Sequence, residues 1–356
     1  MAVWDTYPQD YRKREVETLL SVVRTGECAA LVGLSGAGKS NLLGFMANRT
    51  SGNPPLVLVD CNRLAAQTLE AFFDLVYRSL GTEPPTGSAG GWERAALEAL
   101  LDERMSAPGA ALCLLFDRFD ALSTPLFPFV SGGLRALRDA HKYQLTYITA
   151  SRRPLEVNNE LAELFDAHTL WLGPLSMADA RWSAWRSMAR AGQNWQESEI
   201  NRLIELSWGF PALLRACCQA FAAGCELETE ALRQHPAVAR RVAEFWTGNP
   251  TPEELRRSGV EGQPLLTGAA PLQVDTASLT AKEALLLDYL RTRPGQVCEK
   301  DDLIRAVWLE DKVFIEGIRD DSLAQLVRRL RRKIEPDPEN PRYITSIIGR
   351  GYRYLP

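Results

Sequence analysis

The sequence predicts an α/β fold built on a parallel sheet, then a helical segment, then a small α+β unit. Three observations carry this reading. Apolar runs of strand length alternate with stretches of helical spacing up to residue 173. A glycine loop, GLSGAGKS from Gly33 to Ser40, joins the first run to a helix. The final stretch, 276–356, reads as three helices closed by a hairpin.

With 356 residues the chain has room for two or three domains, each with its own core. No apolar run is long enough to span a bilayer, and the N-terminus (Trp4, Asp5, Asp10, Arg12, Lys13, Arg14) is too charged for a signal peptide. The expectation is a cytoplasmic protein with no membrane partner. Seven cysteines without a C-x-x-C pair indicate neither a disulfide framework nor a zinc site. Cys217, Cys218 and Cys225 read as small core residues. The net charge of −4 hides an asymmetry: 276–356 carries 15 Lys and Arg against 13 Asp and Glu, so the acidic excess lies upstream. Five of the six residues from Arg328 to Lys333 are basic.

The elements follow in order. Asp10 to Arg24 has helical spacing through Val16, Leu19, Leu20 and Val23, and leads to an apolar strand from Ala29 to Leu34. In the loop after it, Gly33, Gly36 and Gly38 let backbone N–H groups turn inward on an anion, with Ala37 between them. The helix opening at Asn41 adds its positive end. Lys39 is placed to reach β- and γ-phosphates and Ser40 to ligate Mg²⁺. Ser35 is not a hydrolase nucleophile, because Ala37 stands where G-x-S-x-G needs glycine. A second strand, Leu56 to Val59, ends in Asp60 and leads to a helix through Phe72, Phe73 and Val76. A loop over 81–91 and a helix over 92–105 come next.

The third strand, Ala111 to Asp117, ends in a carboxylate able to hold Mg²⁺ through water, opposite the glycine loop. The next position is Arg118, which cannot serve as a base, and Asp120 is the nearest acid; slow hydrolysis is expected. A fourth strand, Leu145 to Thr149, leads to Arg152, placed to touch a γ-phosphate. A fifth, Thr169 to Leu172, closes with Gly173-Pro174. From 175 to 247 the pattern is helical, with Trp182, Trp185, Trp195, Trp208 and Trp246 read as core and Gly209-Phe210-Pro211 as punctuation. A helical lid over the nucleotide is the functional alternative. The expected domains are 1–173, 174–250 and 276–356, with 251–275 a Pro-, Gly- and Thr-rich linker in which Leu265, Leu266, Leu272 and Val274 are strand candidates.

In the tail, Thr280 opens one helix, Glu299 to Trp308 forms a second, and Asp320 to Ile334 forms a third with Leu323, Val327, Leu330 and Ile334 on one face. Gln325, Arg328, Arg329 and Arg332 fall on the other, a composition suited to reading bases in a major groove. Arg331 and Lys333 are candidates for phosphate contact. Tyr343 to Ile348 and Tyr352 to Leu355 alternate as a hairpin around Gly349-Arg350-Gly351.

Two family resemblances rest on these motifs. Over about residues 10 to 247, Arg14-Glu15, GLSGAGKS, LCLLFD with Asp120, ITASR with Arg152, and Gly-Phe-Pro resemble the STAND branch of P-loop ATPases. That resemblance implies ATP/ADP and Mg²⁺ as cofactors, Arg14 and Pro211 as nucleotide contacts, and nucleotide-dependent homo-oligomers. Over 276–356, LTAKEALLLDYL, LIRAVW, LVRRLRRKIEPDP and RYITSIIGRGYRYL resemble the OmpR/PhoB-type winged helix. It implies double-stranded DNA as partner, the third helix in the major groove, a wing contact by Arg350, and RNA polymerase met by 309–318. Together they imply an ATP-switched, DNA-binding transcription regulator. A DNA-remodelling ATPase, or a signalling ATPase whose winged helix docks a protein partner, are the alternatives.

Overall fold

A computed structural model of the chain describes residues 3–50, 54–82, 93–156, 159–267, 279–293, 296–308, 320–335, 338, 341, 343–347 and 350–354. It divides into an N-terminal unit, 1–241 with 250–264, and a C-terminal unit, 242–249 with 265–356.

The N-terminal unit is an α/β fold. Its strands are β1 (Ala29–Val32), β2 (Leu56–Asp60), β3 (Leu112–Asp117), β4 (Leu145–Ser151) and β5 (Thr169–Trp171), all parallel in the order β2-β3-β4-β1-β5. Every residue of β1, β3 and β4 is buried. That is why β1 and β3 read as continuous apolar runs rather than alternating ones, whereas β4 buries Thr146, Thr149 and Ser151 among its apolar residues. Helices α1 (Lys13–Arg24), α2 (Lys39–Arg49), α3 (Leu69–Ser79), α4 (Glu93–Met105) and α5 (Phe127–Ala140) accompany the sheet. Phe72, Phe73, Phe116, Phe119 and Tyr147 make much of its core. Because the strands are parallel, their C-terminal ends share one edge, where α/β sheets bind ligands. There β1 delivers the glycine loop, β3 delivers Asp117, and β4 delivers Arg152.

Six helices follow: α6 (Met177–Ala191), α7 (Glu197–Ser207), α8 (Pro211–Ala222), α9 (Thr229–Gln234), α10 (Pro236–Trp246) and α11 (Pro252–Arg257). Ser176 caps α6 by accepting from Asp179 N. Pro211 takes the first position of α8, where its missing N–H costs nothing. Of the tryptophans expected in the core, Trp195 and Trp246 are buried, but Trp185 is 47% and Trp208 41% exposed. Within the expected 251–275 linker the described part is folded. Thr251 and Glu254 form a capping box that starts α11, and Glu254 is buried in the N-terminal unit. Leu265 and Leu266 are buried in turns rather than strands, while Leu272 and Val274 lie outside the described residues.

The C-terminal unit is α+β. It holds α12 (Ala281–Arg291), β6 (Val297–Glu299), α13 (Lys300–Val307), α14 (Asp320–Ile334), β7 (Ile344–Ile347) and β8 (Gly351–Tyr354), with an antiparallel sheet ordered β6-β8-β7. Leu286, Leu290, Leu303, Leu323, Val327, Leu330, Ile344 and Tyr354 form its core. β6 has no counterpart in the sequence reading, because three residues are too few for an alternation to show. Glycine is required at 351: a Cβ there would stand 2.0 Å from the Cys298 carbonyl oxygen across the β6–β8 pair. Ile348 and Gly349, expected in the wing, and 309–318, expected to meet RNA polymerase, lie outside the described residues.

Candidate functional site

The glycine loop is built around two left-handed positions, Gly36 at φ 86° and Gly38 at φ 94°. A side chain at either would strain the backbone. At Gly36 it would also meet α8, since a Cβ would come 2.5 Å from the Ala212 Cβ. Ala212 N donates to Gly36 O at 3.2 Å, so the start of α8 is tied directly to the loop.

Above the loop lies a cavity of about 430 Å³. Ser35, Gly36, Gly38, Lys39, Ser40 and Asn41 line it from the loop and α2. Asp117, Arg118 and Asp120 enter from the end of β3, Arg152 from β4, and Ala212, Arg215 and Arg241 from α8 and α10. Five cationic side chains thus face two carboxylates. Ser40 Oγ donates to Asp117 Oδ1 at 3.0 Å, and Arg118 N donates to the same oxygen at 3.0 Å. Burial raises the Asp117 carboxyl above the usual range, against the lowering effect of the Ser40 bond. Lys39 Nζ donates to Gly33 O at 2.5 Å. Burial brings its pKa down to about 8, although Asp120 and Asp117 favour the charged form. Asp120 Oδ2 accepts from Arg152 N at 2.9 Å, pinning the ends of β3 and β4 together. The Arg152 Nε and Nη2 atoms are buried with no hydrogen-bond partner.

These features fit a polyphosphate with Mg²⁺. The loop supplies an anion cradle, Arg152 holds unused donors, and phosphate beside the buried Lys39 would favour its charged form. Among the described residues no group of three His, Cys, Asp or Glu could hold a metal alone. A Mg²⁺ shared between Ser40, Asp117, water and phosphate oxygens needs no such group.

Other expected contacts fall differently. Arg14 is exposed and does not line the cavity. The neighbouring arginine that reaches the loop is Arg12, 1% exposed, with Nη2 donating to Ala37 O and Gly173 O and Nη1 to Pro174 O. Its backbone N donates to Asp179 at the start of α6. The cause is local geometry: Arg12 precedes α1 with a left-handed φ of 51° that turns it inward, whereas Arg14 lies within the helix on its outer face. Pro211 packs its ring on the loop, with Cγ 3.6 Å from where a Gly38 Cβ would stand, and does not line the cavity. Gly33 and Ala37 act through their carbonyls, toward Lys39 and Arg12. Arg215 and Arg241 escaped the sequence reading. Arg215 stands one helical turn after Pro211, a spacing that could have pointed to it; Arg241 carried no signal.

In the C-terminal unit, Gln325, Arg328, Arg329 and Arg332 are all exposed on α14, as expected. Arg331 and Lys333 are not free for phosphate. Arg331 donates from Nε and Nη2 to Ile344 O at 2.9 and 2.6 Å and from Nη2 to Ser346 Oγ at 2.9 Å. Burial lowers its pKa from the usual arginine value. Lys333 Nζ pairs at 2.6 Å with Glu283 Oε2, the buried capping residue of α12. Arg331 turns back onto β7, while Lys333 is exposed and spends its ammonium on Glu283; a basic run winds around a helix and places its members on different edges. Arg350 is exposed, 3.8 Å from Glu299 Oε1.

Residues 275–354 match the family described as "Transcriptional regulatory protein, C terminal". Curated relatives include the Protein PetR of Rhodobacter capsulatus, 33% identical over 130 residues, 36% of this chain and 53% of PetR. The sensory transduction protein RegX3 of Mycobacterium tuberculosis is 40% identical over 79 residues, 22% of this chain and 33% of RegX3. The chain thus spans about half or less of the curated relatives it matches. Among solved structures, the Walker-type ATPase PABY2304 of Pyrococcus abyssi aligns over 99% of this chain and 97% of its own at 17% identity, TM-score 0.47. The tail thus matches the C-terminal domain of transcriptional regulators, a winged helix, and it follows a five-stranded parallel sheet with a glycine loop at the end of its first strand.

Proposed function

We propose that the chain is an ATP-switched, DNA-binding transcription regulator in which nucleotide controls self-association and thereby DNA binding. The observation that carries the nucleotide half is the convergence of Lys39, Ser40, Asp117 and Arg152 on one cavity that also receives Arg215 and Arg241 from the helical segment. In this reading Lys39 and the loop amides bind the β- and γ-phosphates, Ser40 and Asp117 hold Mg²⁺, and Arg152, Arg215 and Arg241 neutralise terminal phosphate charge. Bound Mg²⁺ would supply charge neutralisation between the phosphates. Turnover is slow, because Arg118 follows Asp117 where a base would serve and Asp120 is engaged by the Arg152 amide.

The DNA half rests on the exposed row Gln325, Arg328, Arg329 and Arg332 of a domain matched to transcriptional regulators. One winged helix makes a small interface, and gathering several raises the effective concentration to the order of millimolar without any new contact. STAND-type nucleotide switching and contact of 309–318 with RNA polymerase belong to the same proposal. Selection of bound sequences from random duplex DNA, with a non-hydrolysable ATP analogue and without nucleotide, tests it. A steep, protein-concentration-dependent gain in DNA binding with the analogue, accompanied by a mass increase in solution, is expected. A monomer that binds DNA equally well in both conditions refutes it.

A further inference from the structure

The tip of β4 presents two adjacent arginines to different surroundings. Arg152 lines the cavity with its buried, unpartnered Nε and Nη2. Arg153 is held by Glu254 of α11 through two hydrogen bonds, Nε to Oε1 at 2.5 Å and Nη2 to Oε2 at 3.3 Å. Ser151, just before them, accepts from Gly33 N through its carbonyl and donates from Oγ to Arg153 O at 2.6 Å. Three consecutive residues therefore link the glycine loop, the cavity and α11.

The Glu254 carboxylate is buried, a costly position unless the charge is paired. Burial pushes its pKa up, and the Arg153 and Thr251 hydrogen bonds outweigh this and hold it below the usual range. The same helix reaches the junction of β5 and α6. A Cβ on Gly173 would stand 3.3 Å from the Ser258 carbonyl, Pro174 Cδ lies 3.4 Å from where a Gly259 Cβ would be, and Arg257 lies over the Trp171 ring at 5.6 Å. Beyond it, Gln263 Nε2 donates to Leu206 O of α7 at 2.7 Å. α11 is the last helix of the N-terminal unit before the chain passes into the C-terminal one.

We infer that the Arg153–Glu254 pair is the coupling element through which occupancy of the cavity reaches α11 and the segment leading to the winged helix. The inference rests on the nucleotide reading above. A terminal phosphate taken up by the free Arg152 donors repositions the strand tip, and the paired carboxylate on α11 follows it. ADP, lacking that phosphate, leaves α11 where it is. Arg153 is a positioning residue in this scheme and touches no nucleotide.

The test uses the full chain and hydrogen exchange over 250–258. With a non-hydrolysable ATP analogue and Mg²⁺, wild type should change its exchange rate there by about threefold or more relative to ADP. Arg153→Ala, whose side chain is half-exposed, should bind the analogue within about threefold of wild type yet lose that response. Arg153→Lys, which keeps a cation beside Glu254 and leaves the Thr251–Glu254 cap intact, should restore it, which a merely structural role does not require. In DNA binding, the analogue-dependent gain should vanish in Arg153→Ala and return in Arg153→Lys. An unchanged α11 response in Arg153→Ala, or none in a wild type that binds the analogue, overturns the inference alone. Failure of wild type to bind the analogue overturns the nucleotide reading with it.

Discussion

The chain holds two clusters of positive charge, and they are made in opposite ways. On α14, the basic residues from Arg328 to Lys333 are nearly contiguous, yet they divide between two tasks. Arg328, Arg329 and Arg332 are exposed, while Arg331 bonds the β7 backbone and Lys333, itself exposed, pairs with Glu283. In the N-terminal cavity, Lys39, Arg118, Arg152, Arg215 and Arg241 are scattered over some two hundred positions and share one space of about 430 Å³. Adjacency in the chain is therefore a poor guide to shared function, and the face a residue occupies decides it.

The sharpest break between the clusters comes at Lys39. Lys39→Ala should lower ATP affinity by about a hundredfold or more, since it removes the loop's cation from the phosphates. DNA binding by the winged helix in the absence of nucleotide should be untouched. Calorimetry gives the first, fluorescence anisotropy on a selected duplex the second, and equal ATP affinity in mutant and wild type would sink the phosphate-loop assignment.

The division within α14 predicts opposite phenotypes for neighbouring arginines. Arg328→Ala or Arg332→Ala should cost about 1–3 kcal/mol of specific DNA affinity and relax preference at one position, with unfolding unchanged. Arg331→Ala should instead destabilise the C-terminal unit by about 1–2 kcal/mol, because the Ile344 carbonyl loses its charged donor; the figure is discounted for the partial exposure of the guanidinium. Thermal denaturation and anisotropy together separate the two. A stable Arg331→Ala protein with weakened binding to every sequence would return Arg331 to the phosphate contacts.

A pH dependence distinguishes the buried cluster from the exposed one. The Lys39 pKa of about 8 is below its unfolded value, so burying the charged amine opposes folding below pH 8. Stability from this group rises as pH climbs from 8 toward the unfolded pKa. A bound polyanion favours the charged amine. Nucleotide binding above pH 8 should therefore take up a proton, and affinity should fall by up to about tenfold per pH unit. Calorimetry in buffers of different ionisation heat measures the uptake; flat affinity and no proton exchange from pH 7 to 9 would contradict it. DNA binding through the exposed α14 arginines should show no corresponding step.

The smallest effect is expected at Arg14. Arg14→Ala should change ATP affinity by less than about twofold, as an exposed helix residue away from the cavity lining should. Arg12→Ala should destabilise the N-terminal unit, because three carbonyls, those of Ala37, Gly173 and Pro174, lose their donor. The reverse ranking, measured by nucleotide titration and thermal melts, would reinstate Arg14.

Much of this protein was determined by the chain itself. The five strand candidates became the five strands, and the apolar runs of β1 and β3 are wholly buried, as strands of a parallel sheet covered on both faces are. Gly36 and Gly38 announced their loop, because few other residues accept positive φ. The apolar stripe of α14 announced its inner face by helical period. Tertiary structure alone decided which arginine meets the glycine loop, since a single inward turn at Arg12 outweighs motif position. It also brought Arg215 and Arg241 to the cavity and folded α11 back onto Arg153, because such pairings depend on loop closure and packing that leave no periodic trace in the sequence.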